Sequence, residues 1–382
     1  VKLVVSFNEI SDTKQLLSKT EGLTFVIRSD ADYATAYLKN NIKEYLSKKF
    51  NQAANVSLAE NLDYKIKKTV HEAYRHWGRS VLDLVSGHID YNQYGITNTD
   101  HQYLNVNLYD AAQLSRQVRE NAGLLVQNMP EGKAGVPALY ISLDEMIKGS
   151  EEDPREIAFS RLFSIKGDQA FGYVARPGKK TIEEQIQNIL ESMMAMKAQY
   201  KTKIPFVLLE DNVRQARMLN WVIERLEKGG IFDYGDLAGI STCFCCADDA
   251  EKALIMCKGK EVPVVAVIDF DSMKVDVVTP RDLLFDGFVV EIGGRTTRLP
   301  GVFMETEKVF KIPASRVLRF HEEVRNINTE FCESLETELN VSLSLSWFKV
   351  ADAISFVTGQ KPESAMKNVL KPKSGFSTAS LL

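Results

Sequence analysis

At 382 residues, 45% of them hydrophobic and 26% charged, the chain is long enough to bury a sizeable core, and its length favours two or three domains. A net charge of −4 supplies no excess of cations for a polyanion, so nucleic acid is not a predicted partner. The opening VKLVVSFNEI has no basic flank, apolar stretch or small-residue cleavage site. No apolar run reaches the ~18 residues of a membrane span, which together predicts a soluble cytoplasmic protein.

In chain order, LTFVIRS (23–29) reads as a strand and DADYATAYLKNNIKEYLSKKF (30–50) as an amphipathic helix capped by Asp30 or Asp32. LDYKIKKTVHEAYRHWGRSVLDLV (62–85) reads as a second helix, and PALYISL (137–143) as a short strand. These elements predict a mixed α/β N-terminal domain over residues 1–200. Within it, HEAYRHW imitates the helical zinc motif HExxH, but His71 and His76 are five residues apart. A five-residue step turns the second imidazole some ~140° from the first, so one helix does not aim both at a metal. His88 and His101 flank a polar stretch whose spacing names no chemistry.

FGYVARPGKKTIEEQI (171–186) is a near miss for a phosphate-binding P-loop: Gly172 and Gly178 are too far apart, and Lys180 stands where a Ser or Thr is required. Thr181 and Glu184 instead form a capping box at the start of a helix. Arg176, Lys179, Lys180 and Thr181 remain the candidate anion or cofactor-binding group, because cations beside a helix start suit a phosphate.

IPFVLLEDNVRQARML (204–219) is an apolar strand that ends abruptly in Glu210 and Asp211 before an amphipathic helix closing at Gly229-Gly230. AGISTCFCCA (238–247) reads as the next strand, DDAEKALIMCKG (248–259) as a helix, and VPVVAVIDFDSM (262–273) as a third strand ending in Asp269 and Asp271. Strand, helix, strand, helix, strand predicts a parallel sheet with right-handed crossovers, and ligands of such sheets lie at the carboxyl ends of the strands. Glu210, Asp211 and Asp269 are therefore the candidate metal ligands. Mg²⁺ is the expected ion, since it takes one or two carboxylates and keeps several waters. The four close cysteines Cys243, Cys245, Cys246 and Cys257 lack the paired CxxC spacing and nearby histidines of a zinc site, and read as reduced, buried thiols on a strand and helix.

These residues resemble the receiver domain of two-component response regulators over 204–328. VLLEDN is similar to the first strand with its metal-binding acids, ADDAEKALIM to the second helix, and VVAVIDFDSM to the strand bearing the phosphoacceptor. VFKIPASRVLRFHEEV (309–324) is similar to the last strand, the family's lysine and the final helix. The resemblance implies a doubly wound, flavodoxin-like sheet over 204–330. It also implies aspartyl phosphorylation at Asp269 assisted by Lys311, a phosphodonor as partner, and a role in signal transduction. Two departures stand out: an insertion around GGIFDYGDLAG, and Gly293-Gly294 at the end of GFVVEIGG where the family carries a Ser or Thr. Thr296 and Thr297 are nearby substitutes.

Two other readings fit the same residues: a Mg²⁺-dependent nucleotide or sugar-phosphate enzyme, and a non-catalytic α/β interaction module whose acids cap helices. The first would carry out phosphoryl or phosphoribosyl transfer on a phosphorylated small molecule, although NVRQARML lacks the Thr-Gly pair of a phosphoribosyl-binding loop. Residues 331–382 predict a helical extension ending in a disordered tail, KPKSGFSTASLL. Trp347, Phe348, Ile354 and Phe356 in it are expected to dock on the core, on a protein partner or on a second copy.

Overall fold

The structure is a computed structural model. It describes residues 2–7, 23–29, 38, 40–46, 56–88, 103–129, 135–144, 147, 155–165, 170–247, 249–270, 275–278, 280–304 and 312–371. In chain order its elements are β1 (Lys2–Phe7), β2 (Leu23–Ser29), α1 (Val56–His88), β3 (Tyr103–Asp110), α2 (Ala111–Gln127), β4 (Leu139–Ser142), β5 (Arg155–Glu156), β6 (Phe159–Phe163), β7 (Ala170–Ala175), α3 (Ile182–Tyr200) and β8 (Ile204–Val213). Then follow α4 (Ala216–Lys228), β9 (Gly235–Cys245), α5 (Asp249–Ala253), β10 (Met256–Cys257), β11 (Lys260–Glu261), β12 (Val264–Asp269), β13 (Val275–Val278), β14 (Phe288–Ile292), β15 (Arg295–Leu299), α6 (Val317–Leu339), α7 (Ala351–Thr358) and α8 (Met366–Leu370).

The chain forms two compact units, each assembled from three separate stretches: 1–28, 94–160 and 173–278 in the first, 29–93, 161–172 and 279–382 in the second. The boundary expected near 200–204 thus falls inside the first unit, and the one expected at 331 falls within α6.

The first unit contains a five-stranded sheet in the order β12-β9-β8-β4-β5, with every pairing parallel. β8 is apolar on both faces because both are covered. Phe206 and Leu208 join the cluster formed with Ile186 and Ile189 of α3 and Leu219 and Val222 of α4, while Val207 and Leu209 join Leu114 and Val118 of α2. Continuous apolar strands of this kind are what a parallel sheet between two helical layers requires. α4 presents Ala216, Leu219, Val222, Ile223 and Leu226 on one buried stripe and closes at Gly229, as its sequence predicts. A second sheet in this unit has the order β1-β3-β2-β13, and Thr24 of β2 stands opposite Val275 of β13.

Two expected elements take other forms. The helix over 248–259 is only Asp249–Ala253; Lys258 and Gly259 both have positive φ and turn the chain into the β10–β11 hairpin. GFVVEIGG is not a strand of the five-stranded sheet. β14 pairs antiparallel with β15 in the sheet β15-β14-β6-β7, and Gly293 and Gly294, both at positive φ, make the two-residue hairpin turn. The glycines stand there because the turn needs left-handed backbone.

In the second unit α1 and α6 pack around Trp77, whose Nε1 donates to Asn328 Oδ1 (2.8 Å) while Asn328 Nδ2 donates to the Leu283 carbonyl (3.1 Å). Phe285, Phe331 and Tyr74 surround the indole. Phe348 stacks on Phe285 and Ile354 is fully buried, so these two dock on the core, whereas Phe356 is 59% exposed. Lys311, Asp271 and the tail 372–382 lie outside the described residues. Among those described, no helix is long and apolar enough to cross a membrane.

Candidate functional site

Following the chain through the five-stranded sheet locates the point where its strand order reverses. β4 is laid down first, β5 is added on one side of it, and β8, β9 and β12 are added in turn on the other. The direction of growth reverses between β4 and β8. Successive connections leave such a pair of strands on opposite faces, opening a crevice at their carboxyl ends where open α/β sheets bind ligands.

Three acids lie near enough to that point to act on one another's charge. The ladder between the two strands continues past β4, with the Leu143 N–H donating to the Leu209 carbonyl (2.8 Å). Since Ser142 is level with Leu209, the register carries Asp144 alongside the Glu210-Asp211 pair. The turn after β4 is folded back by Ser142 Oγ, which donates to the Asp144 carbonyl (2.6 Å), and by the Ile147 N–H on the same oxygen (3.3 Å). Asp144 and Glu210 are both buried, and the Asp211 N–H donates to Glu210 Oε1 (3.1 Å). Burial, then the Asp211 charge, its hydrogen bond and the Asp144 charge push the Glu210 carboxyl well above the usual carboxylate range. Next in the strand, Asn212 Oδ1 is buried and has no hydrogen-bond partner among the described residues.

Asp144 was not among the residues singled out from the sequence. Its signal is ISLD, an apolar strand ending in an acid just as VLLED does, but a lone acid there reads equally well as the cap of a following helix.

Asp269 stands apart from this group. It ends β12, and β9 lies between β12 and β8. Asp269 is level with Cys245, which is level with Val213, three residues beyond Glu210. Two strand spacings across and three residues along place the Asp269 and Glu210 Cα atoms roughly 14 Å apart. Ligands of one Mg²⁺ lie ~2.1 Å from it, so the expected three-acid ligand set is not brought together. Asp269 is instead bound by Lys252 Nζ (2.8 Å), which also lies 3.7 Å from Asp249. Burial works against the Lys252 charge, but the Asp269 hydrogen bond and the surrounding negative groups hold its ammonium above its ordinary range.

The basic group divides as well. Arg176 Nη2 donates to the Leu143 carbonyl (2.8 Å) and its Nε to the Phe159 carbonyl (3.0 Å), so it staples the turn that carries Asp144. Lys179 is ion-paired with Glu156. Thr181 caps α3 in a complete capping box with Glu184, whose carboxyl is held below its usual range by the Thr181 side-chain and backbone hydrogen bonds. Lys180 is exposed and its carbonyl accepts from Gln185 Nε2 (2.7 Å).

The cysteines are thiols. Cys243, Cys245, Cys246 and Cys332 are buried, and Cys257 is half-buried on β10. Burial pushes the Cys245 and Cys257 thiols up, which disfavours the reactive thiolate in both. Among the described residues, no three His, Cys, Asp or Glu side chains are gathered as a metal-ligand set. No family model, curated protein or solved structure matches the chain.

Proposed function

We propose that the chain is a Mg²⁺-dependent enzyme of nucleotide or sugar-phosphate chemistry whose substrate sits in the crevice between β4 and β8. The observation that carries this reading is that Asp211 and Asp144 both bear on the buried Glu210 carboxyl where the strand order of the five-stranded sheet reverses. Mg²⁺ does not need three protein carboxylates: it uses one or two, keeps its waters and takes oxygens from a substrate phosphate. Asp211, only partly buried, is the group that would reach it first, with Asp144 beside it. Glu210, whose carboxyl burial and its acidic neighbours push up, would ionise more readily as the ion's charge offsets theirs. A cation held there would polarise the phosphate of a bound ester and stabilise charge developing on its oxygens.

Aspartyl phosphorylation of Asp269 ranks below this reading. A receiver needs its phosphoacceptor beside its metal-binding acids, and here a whole strand intervenes. Titration of Mg²⁺ by calorimetry, with Mn²⁺ broadening of the amide signals of Asp144, Asp211 and Asn212, tests the proposal. One saturable site that is lost in Asp211→Asn supports it. Equal behaviour of the two proteins removes it and leaves an α/β interaction module whose acids serve structure alone.

A further inference from the structure

A hollow of about 310 Å³ opens on the flank of α3, within the first unit, and neither the crevice nor its acids contribute to it. Its walls are Arg155 from β5, Lys179 and Lys180 from the turn after β7, and Gln185, Asn188 and Ser192 from α3. The three α3 residues follow the spacing that puts side chains on one helix face. Among the described residues three cations and one carboxylate, Glu156, line the hollow, and Glu156 is ion-paired with Lys179.

The walls are held in place by backbone-directed bonds. Gln185 Oε1 accepts from the Ala158 N–H (2.6 Å) and its Nε2 donates to the Lys180 carbonyl (2.7 Å), so one buried amide ties β5's continuation, the lysine turn and α3 together. Ser192 Oγ donates to the Asn188 carbonyl (3.1 Å). The N-terminus of α3 is closed by its own capping box, so an anion would lie against the helix side, among the side chains. A volume near the lower limit of ~300 Å³ for ligand pockets suits a phosphate ester of a small molecule, and is too small for a dinucleotide.

We propose that this hollow is a binding site for a small phosphate monoester. The Arg155 guanidinium and the Lys180 ammonium would bind its oxygens, and the Asn188 amide would supply a neutral donor. The parallel register sets Arg155 opposite Ile141 and Glu156 opposite Ser142, so the site lies one strand outward from the turn that carries Asp144. It does not rest on the Mg²⁺ reading.

Calorimetric titration with inorganic phosphate and with methyl phosphate, in buffer freed of divalent cations by a chelator, tests it. The expected result is one saturable site that weakens as salt is raised. Arg155→Gln and Lys180→Gln should each weaken binding at least about tenfold, the loss expected for one charge-assisted hydrogen bond. Lys260→Gln, on the β11 hairpin, should leave it unchanged. The Asn188 side-chain amide signals should shift in wild type on adding phosphate, which reads the site without any substitution. Absence of saturable binding by wild type, or undiminished binding by a folded Arg155→Gln/Lys180→Gln protein, overturns the proposal. Phosphate binding that persists in Asp211→Asn shows the hollow acting independently of the crevice.

Discussion

The Leu143 N–H donates to the Leu209 carbonyl at 2.8 Å, one residue beyond the end of β4, and this bond holds Asp144 beside Glu210. Crowding of the acids follows from it, and so does a pH dependence. Glu210 in the folded chain keeps a proton that the unfolded chain releases near the ordinary glutamate value. Stability from this source is full below that value and is lost as pH rises through the raised one. In chelator, the difference in melting temperature between wild type and Glu210→Gln should therefore grow with pH in the variant's favour. Saturating Mg²⁺ should reverse the trend by favouring the carboxylate. Parallel pH profiles for the two proteins would show that Glu210 is ionised and solvated.

Asn328 is fully buried between the Trp77 indole and the Leu283 carbonyl. Asn328→Leu would leave both groups unpaired in an apolar setting, at a cost of about 1–3 kcal/mol for each. Urea denaturation should show the midpoint falling with little change in slope. Phe331→Leu alongside it serves as a volume control, because it touches the same indole without removing a hydrogen bond.

Gly287 has φ +88°, and a Cβ built on it would stand 2.0 Å from the Leu299 carbonyl oxygen. Phe288 is the register partner of Leu299, so the hairpin cannot yield without shifting its own ladder. Gly287→Ala should destabilise the protein by more than the ~1 kcal/mol typical of a point substitution. Gly293→Ala, in the open turn of the same hairpin, meets no atom within 4 Å and should cost less, since only its backbone conformation is strained. Thermal melts of the two variants decide the order.

Cys257 is the one thiol of the five that is not buried. Burial and the Glu227 charge raise it, so a thiol reagent should modify it slowly near neutral pH and faster as pH rises. The other four should become reactive only when denaturant is added. Prompt labelling of more than one thiol per native chain would contradict the burial of Cys243, Cys245, Cys246 and Cys332.

Much of the first unit was legible in local pattern. The apolar runs of β8, β9 and β12, the α4 stripe and the Thr181 capping box each declare themselves over fewer than about fifteen residues, within the reach of periodicity and cap chemistry. Strand order does not. That Asp269 falls beyond β9 and away from Glu210 depends on which strand edge each crossover reaches, a choice made by packing between distant residues. Asp144 was hidden for the same reason: its importance comes from β8, over sixty residues later in the chain. Gly293-Gly294 read as a gap in a phosphoryl-binding strand until the β15 partner showed the turn they serve.

The pairing of β2 with β13 has a consequence for how the protein is made. Thr24 and Val275 are neighbours in the finished sheet but about 250 residues apart along the chain. A ribosome adding ~5–20 residues per second delivers β13 roughly 12–50 s after β2. Throughout that interval one edge of LTFVIRS has no ladder partner of its own, and an unpaired β edge is a template for other chains. The nascent chain therefore passes through a window in which holding factors matter more than the stability of the final fold.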